Sequence, residues 1–126
     1  MKYYEPLLGL TGRNDSGGDL DPFTDGVAKA VTITMKTDGT THSVDSPSAG
    51  KLTHGFIKHT IVDGELGAVM MKGLILAMSG GAINANDHVK VDANGKVVTG
   101  GIFADSIGVA FGDATGADKP IWIYVG

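Results

Sequence analysis

Residues 87–98 read Asp-His-Val-Lys-Val-Asp-Ala-Asn-Gly-Lys-Val-Val, and this stretch decides the fold class. Hydrophobic and polar side chains alternate on both sides of Asn94-Gly95, with the period of two that is typical of half-buried strands. An Asn-Gly pair between two such runs indicates a hairpin, because a type I′ turn needs positive φ at both central residues. The stretch therefore predicts two antiparallel strands joined by a type I′ turn.

A second hairpin is predicted between residues 31 and 44. Val31, Ile33 and Met35 are separated by polar residues, so we expect them on the buried face of one strand. Asp38-Gly39 is a turn signal, and the chain then returns as a second strand.

The apolar run 68–78 fits either a buried strand or a short helix. Glycines at 67 and 73 disfavour a helix, so we expect strands with a bend at Gly73. Other strands are predicted at residues 56–62, 107–111 and 121–125. Seven or eight short strands joined by glycine-rich turns predict an all-β fold, either a small antiparallel β-sandwich or a β-barrel.

The composition agrees with such a fold and excludes several classes of protein. Glycine accounts for 20 of the 126 residues, and 42% of the residues are hydrophobic, which is too apolar for a disordered chain. The absence of cysteine excludes disulfides, thiol nucleophiles and zinc–thiolate sites. A net charge of −4 without a basic stripe argues against nucleic acid as a partner. The longest apolar run is too short to span a membrane.

The first 26 residues differ from the rest of the chain. Asp21-Pro22 and Asp25-Gly26 are turn signals, and β-branched residues are few. We expect an extended N-terminal arm or long loop over residues 1–26, followed by a single β-rich domain over 27–126; an ordered strand and loop is the alternative for the first segment. Residues 1–6 lack the apolar run of a signal peptide, which predicts a protein made in the cytoplasm.

No pattern typical of an enzyme or of a cofactor site is found, so we expect neither. The four histidines lack the local spacing of metal ligands. The acidic loop that contains Asp15, Asp19, Asp21 and Asp25 fails the EF-hand template, because Phe23 stands at its fifth position. A solvated polar loop and an irregular calcium loop both remain open for this segment.

Aromatic side chains are the candidates for contact with a partner. Trp122 and Tyr124 alternate with Ile121, Ile123 and Val125 in the last predicted strand, so we expect them on the face away from the core. There they could stack on a sugar, on a partner protein or on the N-terminal segment. The candidate interface residues are Tyr3, Tyr4, Pro6, Leu7, Leu8, Phe23, Trp122 and Tyr124.

The order of motifs over about residues 82–125 resembles that of the capsid decoration, or cement, proteins of tailed bacteriophages. The hairpin VKVDANGKV at 89–97 is followed by IGVA at 107–110, DATGA at 113–117 and the closing strand IWIYV at 121–125. The resemblance covers the last third to half of the chain.

This resemblance implies a β-rich module on the outer surface of the virion, without catalytic residues. Such a module binds the assembled, expanded head, forms a homotrimer, and stabilises the head by bridging neighbouring major capsid protein subunits. The alternative is a head-fibre or tail-associated module that binds carbohydrate on a host surface through Trp122 and Tyr124.

Overall fold

The computed structural model describes residues 9–24, 26–49, 54–100 and 106–126, and every regular element in these ranges is a strand. The all-β prediction is confirmed. The predicted number of strands is wrong, because these ranges contain ten. The strands are β1 (Gly9–Asn14), β2 (Lys29–Thr34), β3 (His42–Asp45), β4 (His54–Ile57), β5 (Leu66–Met70), β6 (Gly73–Gly80), β7 (His88–Val91), β8 (Val97–Thr99), β9 (Gly108–Ala110) and β10 (Ala117–Val125).

The ten strands form two closed barrels of five. Around the first barrel the neighbour order is β1-β3-β2-β4-β5, and β5 pairs with β1 to close it. Around the second the order is β10-β6-β8-β7-β9, closed by the pairing of β9 with β10. Closure pairs both edges of each of the ten described strands, which protects an all-β protein from edge-to-edge aggregation.

The second barrel repeats the topology of the first, strand for strand. In each barrel the first strand runs parallel to the third and antiparallel to the fifth. In each, the second strand pairs with the third and the fourth, and the fourth with the fifth. Strands β1 to β5 therefore correspond, in order, to β6 to β10, and the chain is a tandem repeat of one barrel.

The strand registers agree across the repeat and match individual residues. Asn14 pairs with Val44 in the first barrel, and Ser79 pairs with Val97 in the second. Asn14 and Ser79 are both fully buried polar residues. Isolated bridges match as well. Leu20 pairs with Ile61 in the first barrel and Ile83 with Ala114 in the second, and each bridge joins the connection between the first two strands to the connection between the last two.

A pair of glycines also occupies one position in the repeat. Gly55 and Gly108 lie in the fourth strand of their barrels. A Cβ on Gly55 would stand 3.1 Å from the carbonyl oxygen of Met70, and a Cβ on Gly108 would collide with the carbonyl oxygen of Tyr124. A Cβ on Gly55 would also collide with the side chains of Val69 and Ile33. Glycine is therefore required at both positions, by side-chain packing inside the first barrel and by the close approach of the β9 and β10 backbones in the second.

The two barrels are joined through β2 and β4, which face a different core on each side. Val31 and Ile57 belong to the core of the first barrel. Ala28, Ala30 and Phe56 belong instead to the core that fills the second barrel, and Met70 packs against it. Small alanine side chains permit close approach here, so the backbone nitrogen of Ala28 donates to the carbonyl of Leu76 at 2.8 Å and that of Ala30 to Gly95 at 3.1 Å.

The hairpin over residues 87–98 is confirmed as β7 and β8, but its predicted turn type is wrong. Only Gly95 of the Asn-Gly pair has positive φ, at 82°. The Oδ1 atom of Asp92 accepts hydrogen bonds from the backbone nitrogens of Asn94 and Lys96, both at 2.9 Å. This carboxylate stabilises a longer loop, a turn followed by one left-handed glycine, in place of the two-residue type I′ turn.

Two other strand predictions extend too far. The strand expected over 56–62 ends at Ile57, and residues 58–60 are exposed. The strand expected to include Met35 ends at Thr34, which leaves Met35 half exposed in the β2–β3 loop. The bend expected at Gly73 is observed, with a φ of 109° where β5 gives way to β6.

Within the segment expected as an arm or long loop, residues 9–24 have the alternative form, an ordered strand and loop. β1 lies between β3 and β5, and Leu20 is in the core of the first barrel. Residues 1–8 and Asp25 lie outside the described residues. The described residues contain no helix that is long and apolar enough to cross a membrane.

Candidate interaction surface

The outer face of the second barrel carries a patch of large apolar side chains, which we call the aromatic face. Its members are Leu74, Phe111, Trp122 and Tyr124, with exposed fractions of 50%, 60%, 51% and 41%. Leu74 pairs with Tyr124 across β6 and β10, and Leu76 pairs with Trp122. Residues paired across strands project to the same side of a sheet, so these side chains form one surface.

The alternation of β10 produces this surface. Ile121, Ile123 and Val125 are buried, whereas Trp122 and Tyr124 point outward, as the sequence predicted. Phe111 follows β9 and is fixed beside them, because its backbone nitrogen donates to the carbonyl of Trp122 at 2.8 Å. The rings of Phe111 and Tyr124 stack with their centroids 6.1 Å apart and an interplanar angle of 23°.

Leu74, Phe111 and Trp122 line an open depression of ≈ 480 Å³ on this surface. A sugar site needs hydrogen-bond donors and acceptors beside its stacking rings. The lining of this depression is a leucine and two aromatic rings, so it suits an apolar protein surface better than a glycan.

Phe23 lies elsewhere, near the junction of the barrels. The ammonium group of Lys29 is 5.0 Å from the centroid of its ring and that of Lys96 is 6.0 Å away. These are cation–π distances, so partners within the chain already cover part of this ring. Of the other candidates, Trp122 and Tyr124 come together in the aromatic face, and Tyr3, Tyr4, Pro6, Leu7 and Leu8 lie outside the described residues.

The acidic loop is connected to the rest of the first barrel by hydrogen bonds. Asp19 accepts one from the backbone nitrogen of Asp63 at 3.0 Å, and Asp21 accepts one from the hydroxyl of Thr60 at 2.6 Å. Asp15 accepts a short one from the hydroxyl of Ser43. Among the described residues, no three His, Cys, Asp or Glu side chains are grouped so that they could hold a metal ion.

The model of one protein family matches residues 26–125, and its description is phage cement protein. The chain belongs to the phage cement protein family. The family is one of structural proteins of the virion and is not a known enzyme family, and this cement protein is a component of the phage head surface. No curated protein matches the chain.

Among solved structures, this cement protein is similar to the N base of the head fibre gp8.5 of bacteriophage phi29. The TM-score is 0.71 at 13% sequence identity, over 94% of this chain and 92% of that chain. An aligned share of 94% is larger than residues 26–126 alone could supply. The shared fold therefore extends into the first 25 residues, which agrees with the position of β1 inside a barrel.

The sequence pattern does not indicate Leu74 or Phe111 as interface residues. Leu74 belongs to a nearly continuous apolar run, where the outward positions of β6 cannot be distinguished from the inward ones by pattern. The pattern over 107–111 predicts a strand that includes Phe111, whereas β9 ends at Ala110 and leaves the ring exposed.

Proposed function

We propose that this cement protein binds the outer surface of the assembled, expanded head as a homotrimer, and that it stabilises the head by bridging neighbouring major capsid protein subunits. Membership of the cement protein family supports the location and the decorating role. The aromatic face carries the proposal, because an exposed apolar patch on a rigid all-β body is a surface for protein contact.

The closed barrels supply the stiffness that such a bridge needs. Each barrel has a buried apolar core, and β2 and β4 contribute to both cores, so a force on one barrel is transmitted to the other. A trimer binds several capsid subunits at once, and the effective concentration of the second and third contacts makes attachment tight even when each contact is weak.

Co-sedimentation of the purified protein with undecorated heads tests this function. We expect saturable binding to expanded heads, at a stoichiometry that matches one class of lattice position, and little binding to unexpanded procapsids. Heads that are decorated should also survive heating or chelation better than bare heads. Absence of binding to both particles would contradict the proposal, and binding to a glycan array without binding to heads would favour the host-surface alternative.

A matched pair of variants tests whether the aromatic face contributes to head binding. Trp122→Ser removes a ring that is 51% exposed from this face, and Leu66→Ser removes a side chain of similar exposure, 54%, from β5 of the first barrel. We expect head binding to weaken at least tenfold for Trp122→Ser and to change less than twofold for Leu66→Ser. Equal binding by the two variants would exclude the aromatic face from the decorated state.

A further inference from the structure

The turn between β7 and β8 brings a chemically reactive dipeptide to the junction of the two barrels. Asparagine occurs at positions 14, 84, 86 and 94, and only Asn94 is followed by glycine. The backbone nitrogen that follows an asparagine can attack the side-chain amide, which closes a five-membered ring. Glycine favours this attack, because it has no Cβ to shield the nitrogen or to restrict the backbone. Asn94-Gly95 is therefore the pair in this chain that is most prone to rearrange.

The fold exposes one of the two reacting residues and covers the other. Asn94 is exposed at the tip of the turn, whereas Gly95 is buried. A Cβ on Gly95 would stand 2.6 Å from the Cγ atom of Lys29 and 3.3 Å from the Cγ atom of Pro47, so both side chains lie directly over this residue. Lys29 and Pro47 belong to the first barrel, which thus covers the residue that supplies the attacking nitrogen.

Hydrogen bonds hold the same backbone in place. The nitrogen of Gly95 donates to the carbonyl of Asp92 at 3.2 Å, and the carbonyl of Gly95 accepts from the nitrogen of Ala30 in β2 at 3.1 Å. The carboxylate of Asp92 also accepts from the backbone nitrogen of Asn94 at 2.9 Å. An N–H group that is donating must be released before it can lose its proton and attack. The turn has to open, and its contact with β2 has to break, before the ring can close.

We propose that Asn94 is a site of spontaneous rearrangement to isoaspartate, and that separation of the two barrels controls its rate. The nitrogen of Gly95 forms a bond to Cγ of Asn94, the bond from Cγ to Nδ2 breaks, and ammonia leaves with the proton of the attacking nitrogen. Water then opens the cyclic imide. Addition at the main-chain carbonyl carbon of residue 94 breaks its bond to the nitrogen of Gly95 and leaves isoaspartate, and addition at Cγ leaves aspartate. The rearrangement is independent of head binding.

The product does not fit the junction. Isoaspartate lengthens the main chain by one carbon atom, in a turn that packs tightly under Lys29 and Pro47. It also adds a carboxylate next to that of Asp92, and like charges at this distance repel each other. The hydrogen bond from Ala30 to Gly95, which joins the barrels, is lost as the turn moves. An opening that ends in this reaction is therefore not reversed.

Peptide mapping by mass spectrometry, after incubation of the full chain in a mildly alkaline buffer, measures the reaction at each asparagine. In the chain unfolded in urea, we expect Asn94 to react at least about tenfold faster than Asn84 and Asn86. In the folded chain, we expect the rate at Asn94 to fall at least about tenfold. Equal rates at the three asparagines of the unfolded chain would overturn the choice of site. Equal rates at Asn94 in the folded and unfolded chains would overturn the control by the fold.

Matched variants test whether separation of the barrels is the controlling step. Phe56→Ala loosens the core that both barrels share, and Pro47→Ala, a milder change, removes a side chain that covers Gly95. Both should raise the rate at Asn94 in the folded protein at least about threefold. Asn14→Ala is the control, because the hydrogen bonds that it removes are made within the first barrel. Equal acceleration by Asn14→Ala at a matched loss of stability would show that global unfolding controls the reaction, which contradicts the proposal.

Melting curves of the aged protein test the consequence of the reaction. Ion exchange separates chains rearranged at Asn94 by their added negative charge, and we expect them to melt at a lower temperature than unmodified chains. Asn94→Ser cannot form the cyclic imide, so this variant should keep its melting temperature through the same incubation. Unchanged melting of the isoaspartate form would contradict the poor fit of the product at the junction. These measurements need no heads, so their outcome is separate from that of the proposed head binding.

Discussion

The two barrels share a topology, yet corresponding side chains of the two are covered to different degrees. Phe56 in β4 corresponds to Val109 in β9, and Met70 in β5 corresponds to Tyr124 in β10. Phe56 is fully buried in the core of the second barrel and Met70 packs against that core, whereas Val109 is half-buried and Tyr124 is 41% exposed. The same part of the repeat therefore joins the two barrels in the first unit and is partly exposed in the second.

The largest effect is expected at Phe56, which lies in the core that the two barrels share. Phe56→Ala should lower the free energy of unfolding by about 3–5 kcal/mol, because a large aromatic side chain leaves a cavity between two packed barrels. Tyr124→Ala removes a partly exposed ring from β10 and should cost the monomer less than about 1 kcal/mol, since surface substitutions usually have small effects. Denaturant unfolding, at a concentration where sedimentation shows monomers, measures both.

Equal costs for these two variants would mean that Phe56 and Tyr124 are not differently buried in solution. The free energy of unfolding is well defined only if both barrels unfold in a single transition. Two separate transitions in Phe56→Ala, one for each barrel, would show that the shared core is what makes the molecule unfold as a unit.

The next largest effects are expected at Asn14 and Ser79, the buried polar residues at corresponding positions of the two barrels. Asn14 donates from Nδ2 to the carbonyls of Gly18 and Ile61 at 2.8 and 2.7 Å, and its Oδ1 accepts two hydrogen bonds from Ser16. Ser79 donates to the carbonyl of Gly116 at 2.7 Å and accepts from the backbone nitrogen of Lys119 at 3.0 Å.

At about 1 kcal/mol for each hydrogen bond lost, Asn14→Ala should cost roughly 2–4 kcal/mol and Ser79→Ala roughly 1–2 kcal/mol. The same chemical unfolding assay measures both. A larger cost for Ser79→Ala than for Asn14→Ala would show that the two positions are not alike in the repeat. Ser43→Ala, on an exposed hydrogen bond of the first barrel, is the control and should change stability little.

The sequence was sufficient for the fold class, because the alternation around residues 31–44, 88–98 and 121–125 is strong. It was sufficient for the outward position of Trp122 and Tyr124 for the same reason. The β1 strand was not recognised, since GLTGRN contains two glycines and a single large apolar residue. Its strand conformation depends on pairing with β3 and β5, which are distant in the chain.

The repeat was also hidden in the sequence, for physical reasons. Corresponding positions conserve register rather than residue type, as Asn14 and Ser79 or Phe56 and Val109 illustrate. Gly55 and Gly108 are identical because a Cβ would collide with side chains of the barrel interior at Gly55 and with the backbone of Tyr124 at Gly108. Val31 and Val89, and Val44 and Val97, are also identical, but so few matches do not reveal a repeat in the sequence, which becomes visible only through the strand pairings.

The smallest expected effects distinguish the hairpin loops of the two barrels by the direction of their pH dependence. Hydrogen bonds from Thr40 lower the pKa of Asp38 in the β2–β3 loop below its usual 3.8. The stability that these bonds add to the fold is therefore present above pH 3.8 and is lost as the pH falls through the lowered pKa.

In the second barrel, the hydrogen bond from Lys96 to Asp118, 2.5 Å long, raises the pKa of Lys96 above its usual 10.5. The stability that this bond adds is therefore present below pH 10.5 and is lost as the pH rises through the raised pKa. Asp38→Asn should therefore reduce the acid-induced fall of the melting temperature, and Asp118→Asn should reduce the alkaline fall. Both changes should be small, because the groups are exposed and salt screens them. Melting curves at low and high pH, with and without added salt, measure them. A variant that changes the melting temperature in the opposite pH range, or equally in both ranges, would contradict the pH dependence expected for these two contacts.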